Sequence, residues 1–117
     1  MNPESDETHY WTPSTNVFVS KTGDLIIKVA LSELTFQDLD ITVDGNQFRI
    51  EGSRRDPEFV SARLHMVTDI PVGPFLKILT VPDEFDCPAA RAVYCNGALR
   101  IVVPRKTGSF GTFGGRR

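Results

Sequence analysis

The sequence predicts an all-β fold, an antiparallel β-sandwich of about eight short strands. Short runs rich in Val, Ile, Leu and Phe alternate with polar residues, as half-buried strands do. Clusters of Gly, Asn, Asp and Pro separate these runs at short, regular intervals, which is typical of sandwiches. No segment is long enough for a layer of helices, and a parallel sheet would need crossovers of a dozen or more residues.

The turn signals define three hairpins. The strongest is Asn96-Gly97, which lies between two apolar runs and suits the positive φ angles of a two-residue type I′ turn. Thr22-Gly23-Asp24 and Asp44-Gly45-Asn46 mark the other two, and Gly52 is expected to close the strand after the second. The predicted strands are residues 17–20, 25–31, 39–43, 47–51, 62–67, 75–81, 92–95 and 98–103.

Composition is that of one globular domain. The 117 residues are 40% hydrophobic and 24% charged, with a net charge of −2. That charge provides no basic field for nucleic acid or anionic lipid, so neither is expected as a partner. The acidic, polar residues 1–7 are unlike a signal peptide, and no apolar run could span a bilayer. A cytoplasmic location is therefore expected, with Cys87 and Cys95 as reduced thiols packed like small apolar side chains.

Three regions are expected along the chain. Residues 1–10 form a polar, flexible arm, residues 11–106 a folded domain, and residues 107–117 a flexible Gly-rich tail. Within the domain, residues 53–59 are charged and contain a proline, which predicts a loop. Arg54 and Arg55 in that loop are expected to be solvated rather than to bind phosphate.

The residue types argue against an enzyme. His9 and His65 lie far apart and have no ligand-spaced neighbours, so no metal site is expected. The acidic residues at 83–86 lack the spacing of a calcium loop, and a Cys87–His65 nucleophile pair is disfavoured. There is no Gly-rich phosphate loop or nucleophile elbow, and no cofactor is expected.

Several motifs together resemble the α-crystallin domain of the small heat shock protein (Hsp20) family, over about residues 11–106. Trp11-x-Pro13 resembles the entry of bacterial members, and the pair of strands at 39–43 and 48–52 resembles "I-x-V … L-x-I-x-G". Residues 73–82 resemble "G-x-F-x-R-x-φ-x-L-P", where φ is apolar, with Lys77 in place of Arg. The family signature A-x-x-x-n-G-x-L is matched by Ala92, Asn96, Gly97 and Leu99.

The resemblance implies an immunoglobulin-like sandwich in which strands 39–43 and 91–95 are the edges of opposite sheets. A groove between them would bind an extended apolar peptide by its backbone and side chains. The residues expected to line this groove are Leu39, Ile41, Val43, Ala90, Ala92 and Tyr94. The alternative is that these side chains only fill the core, since alternation does not separate the two.

The resemblance also implies a strand-swapped homodimer, in which residues 62–67 pair with the first strand of a partner chain. The residues expected at that interface are Trp11, Val17, Phe18, Val19, Leu64 and Met66. The alternative is a surface loop. Two departures stand against large assemblies: the arm before Trp11 is short, and no I-x-I/V motif follows Pro104.

The resemblance implies an ATP-independent holdase chaperone that binds partly unfolded client proteins through apolar surface and strand edges. Two alternatives stay open. The chain is a non-chaperone interaction module similar to p23/CS-type domains, or it is one subunit of a mixed oligomer or the core of a longer protein.

Overall fold

The fold is a sandwich of two antiparallel sheets, seen in a computed structural model that describes residues 9–107. The four-stranded sheet has the order β1-β2-β7-β6, and the three-stranded sheet has the order β3-β4-β5. The predicted antiparallel sandwich is confirmed, with seven strands. They are β1 Thr15–Val19, β2 Leu25–Ala30, β3 Leu39–Asp44, β4 Gln47–Arg54, β5 Gly73–Thr80, β6 Arg91–Cys95 and β7 Ala98–Val103. The predicted arm and tail fall largely outside the described residues.

The core lies between the sheets and follows the alternation of the strands. On the outer side of β2 Lys28 is exposed, although Ile26 is buried, and on the core-facing side Leu25, Ile27 and Val29 are all buried. Each of the three pairs across the sheet with a buried residue of β7. Phe48 and Ile50 of β4 face them from the other sheet and are 1% and 0% exposed. The two patterns of period two meet in a single core.

The hairpin between β6 and β7 has the predicted turn. Asn96 and Gly97 both have positive φ, 53° and 80°, as a type I′ turn requires. The carbonyl oxygen of Gly97 accepts a hydrogen bond from the backbone N–H of Leu31 at 2.9 Å. A Cβ at Gly97 would lie 3.3 Å from the Cα of Ser32. Glycine therefore also allows the β2–β3 connection to pack against this turn.

Gly52 does not end β4, as the sequence predicted, because the strand continues to Arg54. A Cβ on Gly52 would lie 2.1 Å from the backbone carbonyl oxygen of Asp38 and 2.8 Å from the ring of Phe75. The glycine thus sits inside the strand, where the backbone of a neighbouring 3₁₀ turn and an aromatic ring approach it closely. A glycine is needed at position 52 because other atoms approach its backbone closely, not because the chain turns there.

Arg54 is buried, so the prediction that both arginines of this region are solvated is wrong for one of them. Its side chain is 6% exposed, and the guanidinium lies 4.5 Å from the centre of the Trp11 ring. Its Nε donates to the carbonyl of Ser32 at 3.1 Å, and its Nη1 donates to the carbonyl of Pro71 at 2.8 Å. Arg55 next to it is exposed.

Residues 62–67 form no strand in the single chain, contrary to the prediction. After β4 comes one helical turn, α1 (Pro57–Val60), which Asp56 caps by accepting from the N–H of Phe59. The segment that follows, residues 61–72, is exposed throughout apart from Val72. Leu64 and Met66 are 72% and 86% exposed. The segment has the apolar side chains of a strand but pairs with no strand of its own chain.

The two thiols differ in environment. Cys87 is buried in the core, as expected, but Cys95 is exposed, which contradicts the prediction that both pack internally. Cys95 lies at the end of β6 on the face that points away from the core, together with Arg91 and Val93. Within residues 9–107 no helix is long and apolar enough to cross a membrane.

Candidate functional site

The candidate site lies between the edge strands β3 and β6. β3 pairs only with β4, and β6 pairs only with β7, so each strand has one unpaired side. Ile41 and Val43 face the same way as their buried partners Ile50 and Phe48. Ala92 pairs with the buried Ile101. The two edges therefore point small and β-branched apolar side chains into the opening between the sheets.

The opening is an apolar groove of about 230 Å³. Four of the six residues predicted to line a peptide groove lie here together, Ile41, Val43, Ala90 and Ala92. The full lining is Ile41, Val43, Phe48, Cys87, Pro88, Ala90, Arg91, Ala92 and Ile101. Backbone groups at both edges and apolar walls between them match what an extended apolar peptide needs.

The other two predicted residues, Leu39 and Tyr94, are not in this lining and pack against the core instead. The hydroxyl of Tyr94 donates to the carbonyl of Leu31 and accepts from the N–H of Leu34 at 3.3 Å. Tyr94 therefore fastens the β2–β3 connection to β6. Alternation identified the correct face for Tyr94 but not the segment that covers it.

The floor of the groove was missed by sequence reasoning. The acidic residues at 83–86 give no sign of it, yet a 3₁₀ turn at Cys87–Ala89 places Cys87 in the floor beside Phe48. Burial raises the pKa of the Cys87 thiol; nearby Lys106 opposes the increase, and Asp86 adds to it. The thiol is therefore held protonated at neutral pH, and it behaves as part of an apolar floor rather than as a nucleophile.

A second apolar surface lies along β1, the other edge of the four-stranded sheet. Val17 and Val19 pair with Ile27 and Leu25 and so face the core side, yet they are 47% and 51% exposed. Four strands lie over three, and β1 extends beyond the cover of the smaller sheet. Phe18, on the opposite face of the strand, is 44% exposed.

The remaining predicted interface residues are Trp11, Leu64 and Met66. Trp11 lies in the domain near the end of residues 61–72, and Leu64 and Met66 lie within that segment. Trp11 is partly buried, its ring lies tilted at 5.1 Å from the ring of Phe75, and its Nε1 donates to the carbonyl of Gly73 at 3.0 Å. Leu64 and Met66 extend into solvent. The single chain brings Trp11 to the base of this segment and leaves β1 and the segment apart, without a strand pair between them.

The described residues contain no cluster of side chains suited to metal binding. In residues 9–107 no three His, Cys, Asp or Glu side chains converge. His65 is exposed, stacks on Phe59 at 4.3 Å between ring centres, and its Nε2 lies 2.7 Å from the Phe59 carbonyl. The candidate site consists of two strand edges and the apolar side chains between them.

Comparison with known proteins agrees with this geometry. The sequence model of the Hsp20/alpha crystallin family matches residues 18–110. Small heat shock protein IbpB of Enterobacter sp. (strain 638) is 28% identical over 102 residues, which are 87% of this chain and 69% of that protein. Small heat shock protein C2 of Rickettsia felis is 23% identical over 94 residues, covering 80% of this chain and 60% of that protein.

Solved structures show the same fold. A small heat-shock protein from Xylella fastidiosa superposes with a TM-score of 0.76 at 18% identity, covering 87% of this chain and 93% of that one. HspA from Xanthomonas axonopodis gives 0.74 at 18% identity, with 84% and 97% covered. Because the family's sequence model matches most of the chain, this protein belongs to the Hsp20/alpha crystallin family of small heat shock proteins.

Proposed function

We propose that this protein is an ATP-independent holdase chaperone, which binds partly unfolded clients and keeps them from aggregating. Small heat shock proteins are not enzymes, and they typically self-assemble and bind unfolded proteins. The observation that carries the proposal is the apolar groove between two unpaired strand edges. A partly unfolded client exposes apolar side chains and unpaired backbone groups, and both are complementary to this groove.

The chemistry of binding follows from the two edges. A client segment in extended conformation pairs its N–H and C=O groups with β3 or β6, and every second side chain enters the space beside Ile41 and Ala92. Main-chain pairing is independent of sequence, so it accepts many clients. The small volume, about 230 Å³, admits only a few apolar side chains at a time. Weak, reversible contacts of this kind suit a chaperone that holds its clients without ATP hydrolysis.

Neighbouring residues on opposite faces of one strand provide the test. Ala92 lines the groove, and Val93 next to it is 61% exposed on the other face. Light scattering from a heat-labile, unrelated client is measured without ATP at increasing ratios of this protein. We expect the wild-type chain and Val93→Asp to suppress scattering, and Ala92→Asp to do so much less, because a carboxylate in the groove repels apolar side chains.

The outcomes separate the candidate functions. If the wild-type chain stays folded and does not suppress scattering, the holdase proposal fails and a specific interaction module remains. If Ala92→Asp and Val93→Asp suppress equally, clients bind elsewhere than in the groove. Circular dichroism of each variant shows that the sandwich is intact.

We also propose that two copies exchange residues 62–67, each adding this segment to β1 of the other. The exposed Leu64 and Met66 and the uncovered β1 support it. Leu64→Asp with Met66→Asp is expected to halve the mass measured by light scattering after gel filtration. Val60→Asp, 66% exposed on α1 and outside the exchanged segment, serves as the control. An unchanged mass in the double variant contradicts the exchange.

A further inference from the structure

The outer face of the four-stranded sheet carries a cluster of unpaired cations. Lys28 alternates with the buried residues of β2 and points away from the core, and Arg100 lies directly opposite it on β7. Arg91 of β6, opposite Val102, lies on the same side of the sheet and also borders the rim of the β3–β6 groove. All three are exposed, and among residues 9–107 none of them forms an ion pair or a side-chain hydrogen bond. We call these three residues the basic face.

This arrangement is unfavourable unless an anion covers it. Like charges directly opposite each other on neighbouring strands repel, and no acidic side chain stands between Lys28 and Arg100. Asp24 lines the same surface pocket as Arg91 but forms no ion pair with it, and its carboxylate accepts from the Thr22 hydroxyl at 3.3 Å. The chain as a whole carries a net charge of −2, so the basic face is a local exception.

The surface beside the cations is also concave. Small side chains, Ser14, Ala30 and Ala98, leave a depression of about 190 Å³ that Lys28 borders. The rest of its lining is Thr15, Asn16 and Val29, so the depression contains no acidic side chain. An extended segment with several carboxylates would fit this surface in both shape and charge.

We infer that the basic face binds the acidic N-terminal segment of this chain, residues 1–8. The segment contains Glu4, Asp6 and Glu7 and no lysine or arginine. The chain is fixed at Trp11, which pairs with β5 and lies on the same side of the sandwich as β1. From there to the outer face of β2 is roughly 15–20 Å, given sheets about 10 Å apart and strands about 5 Å apart. Residues 4–10 span that distance when extended, at roughly 3.4 Å each.

A spin label tests the contact in the full chain. The exposed thiol is removed by Cys95→Ser, and a nitroxide is attached through Asn2→Cys, while Cys87 stays buried. The expected result is at least about a twofold loss of amide NMR intensity near Lys28 and Arg100, as for a segment bound most of the time. Adding salt to about 0.5 M should restore the intensity, because exposed charge pairs are screened.

Charge variants supply the controls. Lys28→Glu with Arg100→Glu is expected to abolish the broadening. If this charge reversal disturbs the fold, Lys28→Gln with Arg100→Gln replaces it and is expected to give the same result. Arg49→Glu with Arg63→Glu makes the same change in net charge on other surfaces and should leave the broadening in place. Broadening that is absent, is centred on the β3–β6 groove, or persists in the Lys28/Arg100 variants overturns the inference.

Discussion

Arg54 gives the sharpest test of the structure, because its neighbour Arg55 is a matched control. Replacing Arg54 by Met keeps much of the side-chain volume and removes the guanidinium. Two hydrogen bonds from a charged donor are lost, at 3.1 Å to Ser32 and 2.8 Å to Pro71. Each is worth about 1.5–3 kcal/mol, and the contact with Trp11 adds about 1 kcal/mol. Water reaches the released carbonyls, since both residues are exposed. We therefore expect a loss somewhat below the lowest sum of these values, which is about 4 kcal/mol, and put it at about 3 kcal/mol.

Arg55→Met is expected to change the free energy of unfolding by less than about 0.5 kcal/mol. The Arg55 side chain is 75% exposed and its guanidinium pairs with Asp38 at 3.3 Å, and an ion pair this exposed contributes little. Arg54→Lys should lie between the two, because an ammonium keeps the charge but lacks the planar fork that reaches both carbonyls.

The assay is urea unfolding at one fixed protein concentration, followed by the fluorescence of Trp11, the only tryptophan, and by circular dichroism. A loss of about 3 kcal/mol corresponds to a fall in Tm of about 10 °C for a domain of this size. Equal stabilities of Arg54→Met and Arg55→Met, within about 0.5 kcal/mol, would refute the assignment of Arg54 to the interior.

Three further outcomes are expected. Gly52→Ala should lower the free energy of unfolding by about 3 kcal/mol or more, because its Cβ would lie 2.1 Å from a backbone oxygen. Gly45→Ala, which has open space around it and a φ of 63°, should lower it by about 1 kcal/mol. If urea unfolding shows Gly45→Ala to be the less stable variant, the packing around Gly52 is contradicted. Tyr94→Phe should lose about 1 kcal/mol through its hydroxyl bonds, measured in the same way. In the folded protein a thiol reagent should modify Cys95 at once and Cys87 only on unfolding. Because burial raises the pKa of Cys87, raising the pH lowers the stability of the fold only in the alkaline range where the unfolded thiol ionises. Rapid labelling of both thiols at neutral pH would contradict the burial of Cys87.

Local rules predicted seven of the strands and the faces on which their side chains lie. Asn96-Gly97 encodes its own turn, and period-two alternation places Ile41 and Ala92 on the correct faces whatever the rest of the chain does. Tyr94 obeys the same alternation, but the segment that covers it comes from residues distant in sequence. Such contacts leave no local signal.

The sequence could not show that Arg54 is buried or that residues 62–67 lack a strand partner within the single chain. Arg54 and Arg55 stand side by side among polar residues, and only the three-dimensional position of Trp11 and Pro71 makes one of them interior. Residues 62–67 have strand chemistry, but a strand forms only where a neighbouring edge is available. The sequence shows that the residue types suit a strand, but it does not show whether a neighbouring edge is available.

The mismatch of four strands over three affects how the stability of this protein can be measured. The core-facing side of β1 is left with Val17 and Val19 half in water. If another chain supplies the missing cover, mass action links the folded state to concentration: dilution lowers Tm, and mixing with a complementary chain raises it. In that case a single free energy of unfolding describes the protein only at a stated concentration, and the smallest unit with β1 fully covered would be a pair of chains.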